Sequence, residues 1–341
     1  MVNFNGDLQD AVPGSLHENR GFLYGDGVFE TIKVVQGKVL FLEDHYFRLL
    51  SSMRIVRMKI PMNFTLEFFE AELLKTATAN SCSASGRVRC TVFRNAGGYY
   101  LPQTNTVSYL IQATALPSGE YVLNAEPYEV DLYKDFYVSK HLLSTLKTTN
   151  KMLHITGSIF AQENGFQTCL LLNDEKNVVE ALHGNLFLRS GSTVITPPLS
   201  EGCLNGIMRK QLIRLLGKQS MYTLLEQPIS PFDLQKELVK AIRNEARLAR
   251  LGRPGQIIAK MNGLHDESIM EALYDASQAG VKIDLIVRGA CALRPGVPGL
   301  SENIKVDMSD SAMWIMKVAF INFGARSQID HCSQTNFGEL I

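Results

Sequence analysis

The texture of the sequence changes once, near residue 237, and that change limits the folds open to the chain. Beyond it, "ELVKAIRNEARLARLG" reads as an amphipathic helix ending at Gly252, and "QIIAKMN" as a short strand. "DESIMEALYDASQAG" then reads as a capped helix from Asp266 to Gly280, and "VKIDLIVRG" as a second strand. Strands alternating with helices need crossover connections, which make neighbouring strands parallel and lay the helices on the sheet. Upstream the pattern differs. "GVFETIKVVQGKVLFL" is a β-branched and aromatic run split by "QGK", the signature of two paired strands around a glycine-containing turn. "FLEDHYFRLLSSMRI" sets Leu42, Tyr46, Leu49, Leu50 and Met53 at near-helical spacing, and "TLEFFEAELLKTATAN" repeats that period. "GRVRCTVFRN" and "TVSYLIQATAL" return to strand character.

These patterns divide the chain into an α+β domain over residues 1–115, a second α+β domain over 116–236, an α/β segment over 237–306, and a tail over 307–341. The second domain opens through the turn-rich "LPSGEY" and "YEVDLY". It continues with the helix "NKMLHITGSIFAQENG" closed by Gly165, the strands "TCLLLN", "NVVEAL", "NLFLRS" and "TVITPP", and a helix in "LNGIMRKQLIRLLG". The tail holds an apolar run followed by a polar end. No internal repeat or low-complexity tract interrupts the chain.

Composition narrows the function classes. Lys and Arg number 34 and Asp and Glu 34, so no overall charge favours nucleic acid or an acidic membrane face, and neither is expected as a partner. The six cysteines form no C-x-x-C, His154 and His183 lack ligand spacing, and no metal site is expected. The start "MVNFNGDLQD" is no secretory leader, and no run approaches the ~20 apolar residues of a spanning helix. A soluble, cytoplasmic protein is expected.

The segment "STLKTTN" (144–150) places Lys147 among small hydroxyl-bearing neighbours just before a helical stretch. A primary amine in a partly desolvated pocket has its charged form disfavoured and becomes a nucleophile toward aldehydes. Lys147 occurs in an ordered set: "YGDGVFETIKV" with Tyr24 and Phe29, "HYFRLL" with Arg48, "LKTTN", "NVVEALHGNLFL" with Glu180, and "PPLSEGCLNGIMRKQLI" with Gly206, Ile207 and Met208.

Over residues 20–236 this set resembles the fold-type IV pyridoxal-phosphate enzymes: branched-chain aminotransferases, D-amino-acid aminotransferases and aminodeoxychorismate lyases. The resemblance implies a two-domain α+β fold of the class IV aminotransferase type, with pyridoxal 5'-phosphate as cofactor. Lys147 would be the Schiff-base lysine and Glu180 the partner of the pyridinium nitrogen. Arg48 and the amides of Gly206 and Ile207 would clamp the phosphate, and Tyr24 and Phe29 would line the substrate pocket, although by the residues alone both read as core aromatics. Met208 stands where such enzymes often place a phosphate-holding threonine, and Gly184 precedes Asn185 where they tend to have a serine. The implied reaction is transamination between an amino acid, branched-chain or similar, and a keto acid, in a homodimer. The β-elimination of aminodeoxychorismate lyase is an alternative on the same cofactor.

After "SPFDLQK" the strand-and-loop block that completes the second domain in those enzymes is replaced. "KMNGLHD", "LYDASQAGV" and "IVRGACALRPGVPGLSENI" instead resemble bacterial polyphosphate kinases over residues 237–306. That resemblance implies phosphate contacts from Asn262 and Arg288, and a second alternative: a non-catalytic, phosphate-binding chimeric chain. The place where those kinases carry a histidine after the arginine reads "MWIMKVAFINFG", and His331 lies beyond it. The second aminotransferase domain is therefore expected to be incomplete, with apolar strand edges that the α/β segment must cover.

Overall fold

The computed structural model describes residues 1–11, 16–121, 130–261, 263–287 and 289–308. The chain forms two compact units that interleave along the sequence. The first comprises Met1–Leu123, Ser139–Leu153 and Pro198–Leu224, and the second Asn124–Val138, His154–Pro197 and Leu225–Ile341.

The chain opens with a hairpin of β1 (Val2–Phe4) and β2 (Asp7–Gln9), followed by α1 (Arg20–Tyr24), β3 (Gly27–Val35) and β4 (Lys38–Val39). Helices α2 (Leu42–Ile55) and α3 (Leu66–Ala79) come next, then β5 (Ser85–Arg94) and β6 (Val107–Ala115). The six strands form one antiparallel sheet in the order β2-β1-β6-β5-β3-β4. The expected hairpin around "QGK" is present: Val35 pairs with Lys38 across Gln36 and Gly37, whose φ angles of 49° and 72° make the two-residue turn that suits twisted strands. The β1–β2 hairpin and α1 lie in a segment to which the sequence reading assigned no element.

Alternation along β3 decides what each face of this sheet does. Val28, Ile32 and Val34 join Val88, Cys90, Val92 and Ile111 in a core covered by α2 and α3, which contribute Tyr46, Leu49, Leu50, Met53, Phe69 and Leu73. Glu30 shares the face of Val28 and Ile32, whereas Phe29 and Thr31 point to the other side.

The chain then runs through β7 (Val130–Val138), α4 (Met152–Glu163), β8 (Thr168–Asn173), β9 (Val178–Ala181) and β10 (Gly184–Asn185). Next come β11 (Leu188–Ser190), β12 (Thr193–Thr196), α5 (Ile207–Gly217) and β13 (Thr223–Glu226). In the second unit β10-β9-β8-β7 form a sheet that is antiparallel except for the β7–β8 pair. Strands β11, β12 and β13 form a smaller sheet. Helix α4 approaches closely: a Cβ on Gly157 would lie 2.6 Å from Leu182 Cδ2.

The expected α/β alternation is present. Helix α6 (Pro231–Arg250), β14 (Gln256–Met261), α7 (Glu267–Gln278), β15 (Lys282–Val287) and β16 (Ile304–Asp307) form a three-stranded, wholly parallel sheet with its helices. Asp266 caps α7 through the amide of Ile269. Helix α6 starts six residues before the expected Glu237, because "SPFD" is itself a start signal. Ser230 and Asp233 form a capping box and Pro231 occupies the first turn, where its missing N–H costs nothing.

One helix therefore serves two cores. Leu234 packs with Leu170, Leu172, Val178 and Ile229, while Val239, Ile242 and Ala246 pack with Ile257, Leu273, Ile283 and Leu285. No helix among the described residues is long and apolar enough to cross a membrane.

Candidate active site

Lys147 is fixed by backbone pairing before its side chain does anything. The Phe29 amide donates to the Lys147 carbonyl (2.8 Å) and the Thr149 amide to the Gly27 carbonyl (2.9 Å), stitching the lysine segment to β3. The Thr149 hydroxyl donates to Gly25 O at 2.8 Å. This pairing sets Lys147 Nζ 4.7 Å from the centre of the Phe29 ring. The ring also carries Arg89, whose guanidinium carbon lies 3.7 Å from the same centroid. Phe29 itself is buried.

Burial chiefly, then the charge of Arg48, pushes the Lys147 amine down to about 8; Lys151 and Arg89 act in the same direction and Glu30 against it. At pH 7 that raises the neutral fraction to roughly one in ten, from roughly one in three thousand for an ordinary lysine. Burial, and then Arg87, lowers the pKa of Arg89 as well. The Arg89 Nε donates to Thr91 Oγ1 (3.2 Å), and no carboxylate pairs with this arginine among the described residues.

Arg48, on the buried side of α2, is held by Glu30. Its Nε donates to Oε1 at 2.7 Å and its Nη2 to Oε2 at 2.5 Å. His45 Nδ1 lies 2.7 Å from the same Oε2. Burial raises the Glu30 pKa, but the hydrogen bonds and charges of His45 and Arg48 outweigh it and hold the carboxyl below its usual range. Glu30 is 1% exposed.

The third nitrogen of Arg48, Nη1, donates to Asn205 O at 2.9 Å, beside the start of α5. Gly206 is the N-cap of α5 and offers no side-chain cap, and the first helical amide bonded back to it is that of Lys210. The Gly206 amide donates to Leu204 O (2.8 Å), so the amides at the helix mouth are those that follow it, at Ile207 and Met208. Arg48, Asn205, Gly206 and Ile207 line a cleft of about 660 Å³ with Lys140, His141 and Lys210. Lys140 pairs with Glu201 at 3.0 Å, and Lys210 pairs with Asp44. Lys147 is outside this lining, but its neighbours Thr145 and Leu146 belong to it.

Within the first unit the structure thus sets Lys147 on Phe29 and places Arg48, Gly206 and Ile207 along one cleft, but the Gly206 amide, expected on the phosphate, is instead bonded to Leu204 O. Met208 is 45% exposed at the start of α5. Tyr24 is at the surface, 39% exposed, with its ring 5.9 Å from that of Tyr100. Glu180 belongs to the second unit, where it is buried in β9 with His154 Nε2 3.6 Å from its Oε1. A carboxylate in an apolar strand needs a cation or donor, and His154 stands there. Asn262 and Arg288 lie outside the described residues, as do His331 and most of the tail.

Sequence reasoning missed Glu30, His45 and Arg89. The signal for Glu30 was present in "VFETIKV", where strand alternation puts a carboxylate in line with Val28, Ile32 and Val34.

The first unit thus combines an antiparallel sheet under two helices with an uncapped helix start and a half-buried amine. The family model described as Amino-transferase class IV matches residues 27–239, so the chain belongs to that family. A second model, Polyphosphate kinase C-terminal domain 2, matches residues 228–310. Among solved structures, the branched-chain aminotransferase of Thermoproteus uzoniensis with norvaline is similar, with TM-score 0.59 and 26% identity, covering 68% of this chain and 79% of that one. The 4-amino-4-deoxychorismate lyase of Pseudomonas aeruginosa shares the fold, with TM-score 0.58 and 24% identity over 69% of this chain and 84% of that one. The polyphosphate kinase of Burkholderia multivorans is 53% identical over 97 residues, 28% of this chain. The chain spans 14% of the length of that kinase. The two family matches overlap over residues 228–239, a stretch that includes the start of α6, the helix that joins the two cores.

Proposed function

We propose that the chain is a pyridoxal-phosphate-dependent aminotransferase exchanging an amino group between an amino acid and a keto acid. The observation that carries this reading is the Lys147 amine, held over the Phe29 ring and depressed to about 8 by burial and by Arg48.

The residues present fit the cofactor. The uncapped start of α5 and the Arg48 fork suit a phosphate, and an amine whose neutral form is within easy reach near pH 7 suits an aldehyde. When bound, pyridoxal phosphate supplies that aldehyde and an electron-accepting ring. Arg48 and the amides of Ile207 and Met208 would hold its phosphate. Glu180 is assigned to the ring nitrogen by resemblance to the family. Lys147 Nζ takes a proton from the substrate α-carbon and returns one, which it can do because it is neutral for an appreciable fraction of the time near pH 7.

Arg89 adds a substrate preference. It is an arginine with no carboxylate partner among the described residues, on the same ring as the amine, and it suits the side-chain carboxylate of a dicarboxylic amino acid such as glutamate. A homodimer is expected by analogy with the family.

The test is to supply purified protein with pyridoxal phosphate, branched-chain amino acids or glutamate, and 2-oxo acids, and to measure keto-acid formation. Release of pyruvate from aminodeoxychorismate, with no transfer to a keto acid, would replace transamination with elimination. Neither product would remove the enzyme reading and leave the phosphate-binding chimera. The kinase-like segment then predicts salt-sensitive polyphosphate binding that Arg288→Ala abolishes.

A further inference from the structure

We propose that Glu30 is the positioning residue of the anion site, fixing Arg48 so that the outer edge of its guanidinium meets a phosphate at the start of α5. The proposal rests on reading that cleft as the phosphate end of a cofactor site.

Of the five N–H groups of Arg48, Nε and one on Nη2 are spent on Glu30 and one on Nη1 is spent on Asn205 O. What remains is one N–H on each terminal nitrogen. A guanidinium bound by one side to a carboxylate cannot rotate, so those two hydrogens keep a fixed direction. An arginine with the same charge on a free side chain would first have to give up its rotamer freedom to the anion.

Glu30 is fixed in turn. It accepts from Arg48 on both oxygens and from His45 on Oε2, and an ionised carboxylate can only accept, so His45 carries its hydrogen on Nδ1. His45 and Arg48 are three residues apart on α2, which places both on one helix face above the carboxylate. The lowered pKa of Glu30 agrees with a carboxylate that stays charged.

Glu30 also balances charge. Arg48 lowers the pKa of Lys147 and Glu30 raises it, with Lys151 and Arg89 as the other charges acting on the amine. Removing the Glu30 charge therefore has a signature that a packing defect lacks: the amine becomes more acidic.

The experiment uses the full chain and two probes independent of turnover. Binding of inorganic phosphate is titrated, and Lys147 is methylated reductively with formaldehyde across a pH series and quantified by peptide mass spectrometry. Glu30→Gln is expected to weaken phosphate binding by ~10-fold or more and to move the methylation midpoint below that of the wild type. Glu30→Asp keeps the charge and shortens the reach, so it is expected to weaken phosphate binding while holding the midpoint. Should either variant fail to fold, His45→Asn carries the anion arm, with a loss in the same direction. Unchanged phosphate affinity in these variants overturns the proposal, as does a wild type that binds no phosphate. Whether pyridoxal phosphate labels Lys147 is scored separately: absence of that label sinks the cofactor reading without touching the Glu30 result.

Discussion

Replacing Arg48 with methionine keeps the apolar bulk of the side chain and removes the fork that neutralises Glu30. The carboxylate is 1% exposed, and it would keep only the hydrogen bond from His45. Breaking a buried ion pair by deleting one partner costs about 3–5 kcal/mol, because the surviving charge has no water to turn to. Urea unfolding at neutral pH is expected to show a loss of that size for Arg48→Met. Glu30→Gln, which leaves Arg48 with a neutral acceptor and a small window to solvent, should lose about 1.5–3 kcal/mol. The double variant should fall short of the sum, with a coupling energy of about 2 kcal/mol or more.

The pH dependence follows from the sign of the Glu30 shift. Its pKa is lowered in the folded state, so its stabilisation is present above the ordinary carboxylate range and is lost as pH falls through the folded value. In Arg48→Met, burial dominates and raises that pKa, so the carboxyl takes up a proton inside the fold. The deficit relative to wild type therefore shrinks as the medium becomes acid. A coupling energy below about 0.5 kcal/mol, with a deficit independent of pH, would refute the reasoning.

Arg89→Gln should raise KM for dicarboxylate substrates by ~10–100-fold in steady-state assays, with a smaller change for branched-chain substrates. Ser230→Ala removes half of the capping box on α6 and should cost about 1 kcal/mol in denaturant unfolding. Because α6 is shared by the two cores, that loss should appear in tryptic accessibility on both sides of the helix. Gly157→Val places a branched side chain where even Cβ comes within 2.6 Å of Leu182, and a lower Tm is expected from about 1–3 kcal/mol of overpacking.

Elements with strong periodicity were legible in the sequence. The turn Gln36–Gly37, helices α2 and α3, and the parallel β14–β15 pair follow from local patterns that tertiary packing did not override. The start of α6 was also written locally, in Ser230, Pro231 and Asp233, but the eye follows the apolar stripe that begins later. The first hairpin, three residues per strand, and β16 are too short for an alternation to register.

The site divides in the same way. Lys147, Arg48 and the start of α5 stood out because their types and order are chemically specific. Glu30 and Arg89 depend on partners far along the chain: Arg48 reaches Glu30 across eighteen residues, and Arg89 meets Phe29 only because β5 lies beside β3. No local pattern records such meetings.

The central claim is that Lys147 is the reactive amine. Full-length protein incubated with pyridoxal phosphate, reduced with borohydride and digested should carry the pyridoxyl mass on the peptide containing Lys147, with labelling that rises through a midpoint near pH 8. Adducts scattered over exposed lysines, with none enriched on Lys147, would contradict it.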